Sequence, residues 1–241
     1  MTNQHLKNKN VLIIGGSTGM GRATAIAAYE LGANVTLTSR EHDKAVTAAA
    51  AIGAEVKGYA LDINSEQAVL AFFETHSSID HIYIAAGSTK LSAVTEGILE
   101  DQMKAFNERI LGSLRVVRAT ANKINPSGSI TFTGGVSTDR PIAGAWVSGL
   151  GTASAEQLAR VLVMELPHIR FNAVAPGYTD TPMWDAILGE NKTVILASVA
   201  ERLPVKKIAT PEEVASAVIF LMCNASVTGE VVHVDGGLRL I

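Results

Sequence analysis

The sequence predicts a doubly wound α/β fold, a Rossmann-like parallel sheet of about seven strands with helices on both faces. Three observations predict it. Short apolar runs alternate with stretches of helical periodicity from one end of the chain to the other. Most of these runs are too apolar to leave one sheet face in water, as expected of strands covered on both sides. The first run is followed at once by a glycine-rich turn and a helix. With 241 residues, 47% of them hydrophobic, the chain can fill one large core. No linker, internal repeat or low-complexity tract divides it, so residues 1–241 are read as one domain.

The elements follow in order. Val11-Leu12-Ile13-Ile14 reads as a buried strand, and Gly15-Gly16-Ser17-Thr18-Gly19-Met20-Gly21 as a tight turn into a helix over 22–31. Gly32 and Ala33 stop that helix, and Val35-Thr36-Leu37-Thr38 forms the second strand, so a βαβ unit closes within about 30 residues. Further strands are expected at 56–61, 81–85, 129–133, 171–175 and 231–234, with helices between them. In such a sheet, ligands bind at the carboxyl ends of the strands.

The glycine turn carries the first chemical signal. A pyrophosphate needs close approach to backbone N–H groups at a helix N-terminus, and a side chain at Gly15, Gly19 or Gly21 would obstruct the turn or its packing. The plainer reading of the turn is an ordinary βα loop.

The spacing Gly15-x-x-x-Gly19-x-Gly21 resembles that of the short-chain dehydrogenase/reductase family, and other landmarks follow in the family's order. Leu61-Asp62-Ile63 resembles the segment that brackets adenine, and Ile84-Ala85-Ala86-Gly87 stands where the family usually carries Asn-Asn-Ala-Gly. Pro176-Gly177 with Thr179, Thr181 and Met183 resembles the loop that closes over the nicotinamide. Pro211-Glu212-Glu213-Val214-Ala215 resembles a late helix start, and Gly229 with Val234-Asp235-Gly236-Gly237 the last strand. The resemblance covers essentially the whole chain. It implies an oxidoreductase that holds a dinucleotide with Gly15, Ser17, Thr18, Gly19, Met20, Gly21, Ser39, Arg40, Asp62, Ile63, Ala85, Ala86, Gly87, Pro176, Gly177 and Thr179. It also implies a homodimer or homotetramer packed through helices around 102–121 and 152–166.

Cofactor choice turns on the end of the second strand, where an acid would bond the ribose hydroxyls. Ser39 and Arg40 stand there instead, and a hydroxyl with a guanidinium can hold a 2′-phosphate, which favours NADP(H) over NAD(H). The plainer reading of Arg40 is a solvated side chain at a strand end.

The family's proton-transfer residues are missing. Aligning residues 155–160 with the family's helix puts Ser148 where a Tyr is expected and Thr152 where a Lys is expected. Likewise Gly135 falls at the catalytic Ser, and Gly112 places Arg109 at the catalytic Asn. An aliphatic hydroxyl is a far poorer acid than a phenol beside a cation. The absence does not depend on the alignment, because none of Tyr29, Tyr59, Tyr83 and Tyr178 has a lysine four residues on.

Three readings follow. The chain is an NADPH-dependent reductase of a quinone or an activated alkene or carbonyl, whose product spreads its charge and needs no built-in acid, with Arg109, Ser137 or Ser148 assisting. Alternatively it is a catalytically inactive dinucleotide-binding sensor or partner subunit. In the third reading the cleft holds another nucleotide or metabolite without redox chemistry. For Ser137 and Ser148 the plainer reading is loop or helix polarity, and for Arg109 a salt bridge to Glu108, Glu100 or a partner subunit. Gly134, Gly135, Gly144, Gly149 and Gly151 give either a roomy surface for a planar acceptor or close packing. Trp146, Trp184, Tyr178 and Met183 are wall or core residues, and Asp180 and Asp185 line a substrate lid or a surface helix at 179–198.

Composition narrows the partners. A net charge of −3 with scattered Lys and Arg gives no general attraction to nucleic acid or anionic membrane. The first ten residues are polar and no apolar stretch approaches about 18 residues, so a cytoplasmic protein with a small-molecule substrate is expected. His5, His42, His76, His81, His168 and His233 never fall at close ligand spacing, and no metal is expected. Cys223, in an apolar helical run, reads as core.

Overall fold

One face-covered sheet follows from strands that have no polar side to turn outward. The computed structural model describes residues 6–76, 78–89 and 91–241. Met1, Thr2, Asn3, Gln4, His5, Ser77 and Lys90 lie outside the described residues, and with them the expectation for His5. The strands are β1 (Asn10–Ile14), β2 (Asn34–Ser39), β3 (Lys57–Ala60), β4 (Ile79–Ile84), β5 (Ile124–Thr133), β6 (Arg170–Pro176) and β7 (Val231–Val234). The helices are α1 (Gly19–Glu30), α2 (His42–Ala50), α3 (Glu66–Thr75), α4 (Leu99–Thr120), α5 (Trp146–Glu165), α6 (Pro182–Leu188), α7 (Lys192–Arg202) and α8 (Pro211–Cys223). The sheet is parallel throughout, in the order β3-β2-β1-β4-β5-β6-β7. The chain therefore winds one way from β1 to β3 and the other way from β4 to β7, so the ends of β1 and β4 flank the point of reversal where such sheets bind ligands.

Alternation along β1 divides the core between the two faces. Leu12 and Ile14 pack with Ile82, Phe132 and Phe171 on one side, and Val11 and Ile13 with Leu37, Tyr83 and Val174 on the other. The rings of Phe132 and Phe171 stack 6.2 Å apart across β5 and β6. β4 and β6 are buried along their whole length, whereas β3, at the sheet's edge, is nowhere fully buried. β5 begins at Ile124, five residues before the apolar run suggested. Its start is polar, Asn125-Pro126-Ser127-Gly128, with Ser127 at φ 67° and a register shift against β4 between Ile79 and His81, so apolar periodicity could not reveal it. The start of α8 is the one its sequence announces. Thr210 accepts from the Glu213 N–H and Glu213 bonds back to the Thr210 N–H, a capping box with Pro211 in the first turn.

Buried charge fixes the far end of α8. Arg170, 8% exposed, donates to the carbonyls of Leu221 (2.7 Å), Met222 (2.8 Å) and Val227 (3.0 Å), so a cation satisfies the helix's orphan acceptors and its negative dipole end. Cys223 beside it packs on the core as a partly buried residue, and burial pushes its thiol pKa up. On β4, burial opposes ionisation of Asp80, but the Asn10 N–H and the Lys9 ammonium outweigh it and hold the carboxyl below its usual range.

His81 follows Asp80 and is 5% exposed, its Nδ1 2.9 Å from Ser129 Oγ. Burial, reinforced by Arg170, lowers its pKa from 6.5 to about 4. Below about pH 6.5 the unfolded chain takes up a proton that the folded chain refuses until about pH 4, so this contribution to stability is full above 6.5 and declines as pH falls toward 4. Urea unfolding of the wild type is expected to show roughly 2 kcal/mol less stability at pH 5 than at pH 7 from this residue. His81→Asn should remove that increment, and parallel pH dependences for the two proteins would refute the assignment.

Candidate functional site

The turn after β1 is set by steric exclusion. Gly15 has φ +83°, and a β-carbon on it would stand 2.8 Å from Ala86 N; one on Gly21 would collide with the Gly15 carbonyl oxygen. The N–H groups of Ala85 and Ala86 both bond Ile14 O, at 2.9 and 3.0 Å, which ties the exit of β4 to that of β1. Gly19, φ +52°, opens α1 with Thr181 Cγ2 3.3 Å from the place of its absent β-carbon. No side chain caps α1, since Thr18 is extended and makes no capping bond. The first-turn N–H groups and dipole of α1 thus meet the carboxyl edge of the sheet without a protein acceptor, as a bound pyrophosphate requires. Ser17, Gly19 and Met20 are partly exposed and Thr18 exposed beside this cradle.

The loop after β6 closes the other wall. Gly177 N donates to Val234 O at 3.0 Å, and a β-carbon on Gly177 would lie 2.8 Å from Asp235 Cα. Thr179 is 3% exposed, its hydroxyl turned to Gly177 O and its backbone paired with Ala209. Thr179 therefore shapes the loop, and Thr181 is the threonine that packs against the glycine turn. Beyond it, Lys192 Nζ sits 2.8 Å from Asp180 and 2.9 Å from Asp185, and hydrogen bonds from these acids raise its pKa. Tyr178 stacks on Trp184 with centroids 5.0 Å apart. The segment read as a lid or a surface helix forms two helices, α6 and α7, joined by these contacts.

At the end of β2, Ser39 Oγ accepts from Glu41 N at 3.4 Å. Asp62 Oδ1 accepts from Asn64 N and Nδ2, at 2.9 and 3.1 Å. The Ile63 side chain packs under Gly112. Arg40 reaches across to Glu108, Nη1 to Oε1 3.8 Å. Glu108, 8% exposed, also accepts from Ser88 N (3.0 Å) and Ser88 Oγ (2.6 Å) just after Gly87. The salt bridge entertained between Glu108 and Arg109 is not made: these neighbours on α4 point to different partners.

Arg109 instead donates from Nη1 to Thr133 O at 2.7 Å. Its Nη2 lies 3.1 Å from the place of an absent Gly87 β-carbon, and its Cδ 3.3 Å from that of Gly151. Burial lowers its pKa and the Glu108 charge opposes this; a guanidinium keeps its charge throughout. Thr152 Oγ1 turns back to Ser148 O (3.0 Å) and Gly149 O (3.1 Å). Ser148 is buried and its hydroxyl has no hydrogen-bond partner, as is true of Trp146 Nε1. Ser137 lies half-buried in the single helical turn Val136–Thr138, its carbonyl 3.3 Å from the place of a Gly149 β-carbon. Tyr83, whose hydroxyl accepts from Thr133 Oγ1 at 3.2 Å, is fully buried and its pKa is pushed up to about 12 by desolvation.

Much of the space left by the glycines is occupied. β-carbons on Gly134 and Gly135 would meet Glu156 and Thr152, so close packing is their role. Glu156 Oε1 accepts from Gly135 N (3.1 Å) and Thr138 Oγ1 (2.8 Å), holding the segment after β5. Glu108 entered the sequence reading only as a possible partner of Arg109, and Glu156 was not singled out. The available signal was an acid on the buried stripe of an amphipathic helix, one turn from Thr152 in the case of Glu156.

Among the described residues no helix is long and apolar enough to cross a membrane. A family model described as enoyl-(acyl carrier protein) reductase matches residues 15–239. Carbonyl reductase family member 4 of Danio rerio is 30% identical over 95% of this chain and 98% of its own. The reductase/Diels-Alderase MalC of Malbranchea aurantiaca superimposes with a TM-score of 0.92 at 26% identity, over 99% of both chains. A small-chain dehydrogenase solved in complex with NADPH gives 0.82 at 26% identity, over 98% of this chain and 100% of its own. With the parallel sheet, the glycine cradle and the bare end of α1 all in place, this chain belongs to the short-chain dehydrogenase/reductase family of oxidoreductases.

Proposed function

We propose that this protein binds NADP(H) and reduces an acceptor whose product anion is delocalised, such as a quinone or an activated alkene or carbonyl, without a protein phenol as acid. One observation carries the reading: the cradle for the dinucleotide is complete, while Arg109 is the charged group at the four positions where the family keeps Ser, Tyr, Lys and Asn. The dinucleotide, when bound, supplies a hydride. The chain's part is to hold and orient the acceptor and to exclude water. Thr152 spends its hydroxyl on α5 and Ser148 lacks an activating partner, so neither replaces the missing acid, and water protonates the product. MalC, both reductase and Diels-Alderase, supports a fold that tolerates non-standard chemistry. The second reading, an inactive sensor or partner subunit, draws on the same unactivated Ser148 hydroxyl and the Thr152 hydroxyl spent on its own helix.

NADPH fluorescence with the pure protein tests the two. Saturable binding and protein-dependent consumption with quinones or activated alkenes, but not simple ketones, is the expected result. Its rate should be flat across about pH 6 to 9, because no tuned phenol takes part. Binding without consumption across the panel would favour the sensor.

Arg40 is the proposed ligand of the 2′-phosphate, and Glu108 competes for it. Arg40→Ala is expected to weaken NADPH by about tenfold and leave NADH unchanged. Glu108→Gln, which keeps an acceptor for Ser88 but removes the charge, should tighten NADPH. Equal effects on both dinucleotides would argue against a phosphate contact.

We also propose a homo-oligomer. Leu99 and Leu111 on α4 and Leu150, Val161 and Met164 on α5 are exposed, Met164 by 82%, and such apolar surface fits a partner helix pair. Light scattering after gel filtration should give two or four times the 25.3 kDa chain mass, and a monomer at micromolar concentration would count against it. A cytoplasmic location accords with the expectations from composition.

A further inference from the structure

The helix α6 is held in place by polar contacts rather than by a core of its own. None of its residues, Pro182 to Leu188, is fully buried, so it gains little from apolar packing. The next helix differs: α7 is anchored by Leu196 and Val199, with Leu203 just beyond it, all buried. Between the two helices stands Gly189, at φ +53° with nothing within 4 Å of the place of its absent β-carbon, a turn with room to swing. A cavity of about 410 Å³, lined by Asp180, Asp185 and Lys192 and by the apolar Leu196, Ala200 and Ile208, lies between the two segments. Lys192, in the first turn of α7, reaches across it. Its ammonium meets Asp180 at 2.8 Å and Asp185 at 2.9 Å, one acid before α6 and one within it. A single exposed ion pair contributes little, but one ammonium shared by two carboxylates forms a network. The other tie is the stack of Tyr178 on Trp184. Between Asp180 and α6, Thr181 rests against Gly19 at the start of α1, so displacement of α6 uncovers the glycine turn.

We propose that Lys192 latches α6 over the glycine turn, so that a bound dinucleotide leaves only after the ammonium lets go of Asp180 and Asp185. Lys192 is thus a positioning residue, which acts on the ligand through α6 and Thr181 and not by contact. A segment that buries no side chain opens at low free-energy cost, and the rate of its opening sets the rate of release. The proposal rests on the reading that the cradle holds NADP(H), and goes beyond it by naming what times the exchange of that ligand.

Stopped-flow displacement of NADPH by excess NADP⁺, followed by fluorescence on the full chain, tests it. Lys192→Met, which keeps an apolar stem without the charge, is expected to release NADPH at least about threefold faster than the wild type. Lys192→Arg should stay near the wild-type rate, because a guanidinium also pairs with both carboxylates. Asp180→Asn combined with Asp185→Asn breaks the same tie from the other side and should speed release as well. Added salt should narrow the difference between the wild type and Lys192→Met. Hydrogen exchange of the free protein should rise in Lys192→Met across residues 182–191 and stay unchanged in β4 and β6. Thermal melts check folding, and the double aspartate variant stands in if Lys192→Met does not fold. Four results would each overturn the proposal: unchanged release in both charge-removing variants, release from Lys192→Arg as fast as from Lys192→Met, slower release in the double aspartate variant, or raised exchange spread through β4 and β6. The third would make Lys192 a direct ligand, freed when its acids are gone, and the fourth a general stabiliser. A wild type that does not bind NADPH removes the cofactor reading, whereas binding with unaltered release in the variants removes this proposal alone.

Discussion

The close approach of the Gly15–Gly21 turn to the exit of β4 is the constraint on which the site depends. With a β-carbon at Gly21 the Gly15 carbonyl would have to move, and with one at Gly15 the backbone of Ala86 would. Without both glycines, α1 could not start where β1 ends, and its uncapped N–H groups would not reach the carboxyl edge of the sheet. The parallel order of the strands does the rest. It brings the segments after β1, β2, β4, β5 and β6 to one edge, so a residue from each of several distant stretches faces one cleft.

Within that cleft the balance of charge differs from what the family resemblance implies. The position of the expected lysine on α5 holds Thr152, whose hydroxyl bonds its own helix, while the positive charge comes from Arg109 on α4. Glu156 gives the segment after β5 an anchor that needs no catalytic group, holding the Gly135 N–H and the Thr138 hydroxyl at once. In the proposed reading the absent acid and the Arg109 charge are separate features: the one leaves no built-in proton source, the other brings a positive charge at a position where the family resemblance implies Asn.

Glu108 connects the two ends of the cleft. Its carboxylate holds Ser88, next to Gly87, and faces Arg40 at the end of β2, while its neighbour Arg109 donates to Thr133 O at the end of β5. A ligand that draws Arg40 away acts on the same short stretch of α4 that carries Arg109. Surface pairs of this kind are weak on the Arg40 side, where the side chain is solvated, and firmer on the Ser88 side, where a buried acid takes two donors.

The strands and their parallel pairing, the glycine turn and the absence of a Tyr-x-x-x-Lys pair were all legible in the sequence, because each is local: an apolar run, a turn spacing, a missing residue type. It missed the first part of β5, whose polar residues carry no periodic signal, and it left Arg109, Ser148 and the cleft glycines open between packing and function. Only the tertiary structure decided those. Whether Arg109 meets Glu108 or Thr133 O, whether Thr152 faces a ligand or its own helix, and whether Gly134 and Gly135 leave a pocket or admit Glu156 and Thr152 depend on side chains from α4, α5 and β5 meeting in space. Residues 24 and 21 positions apart, as Arg109 is from Thr133 and Gly135 from Glu156, show no periodicity that links them, and hydrogen bonding with burial settles their roles once the fold brings them together.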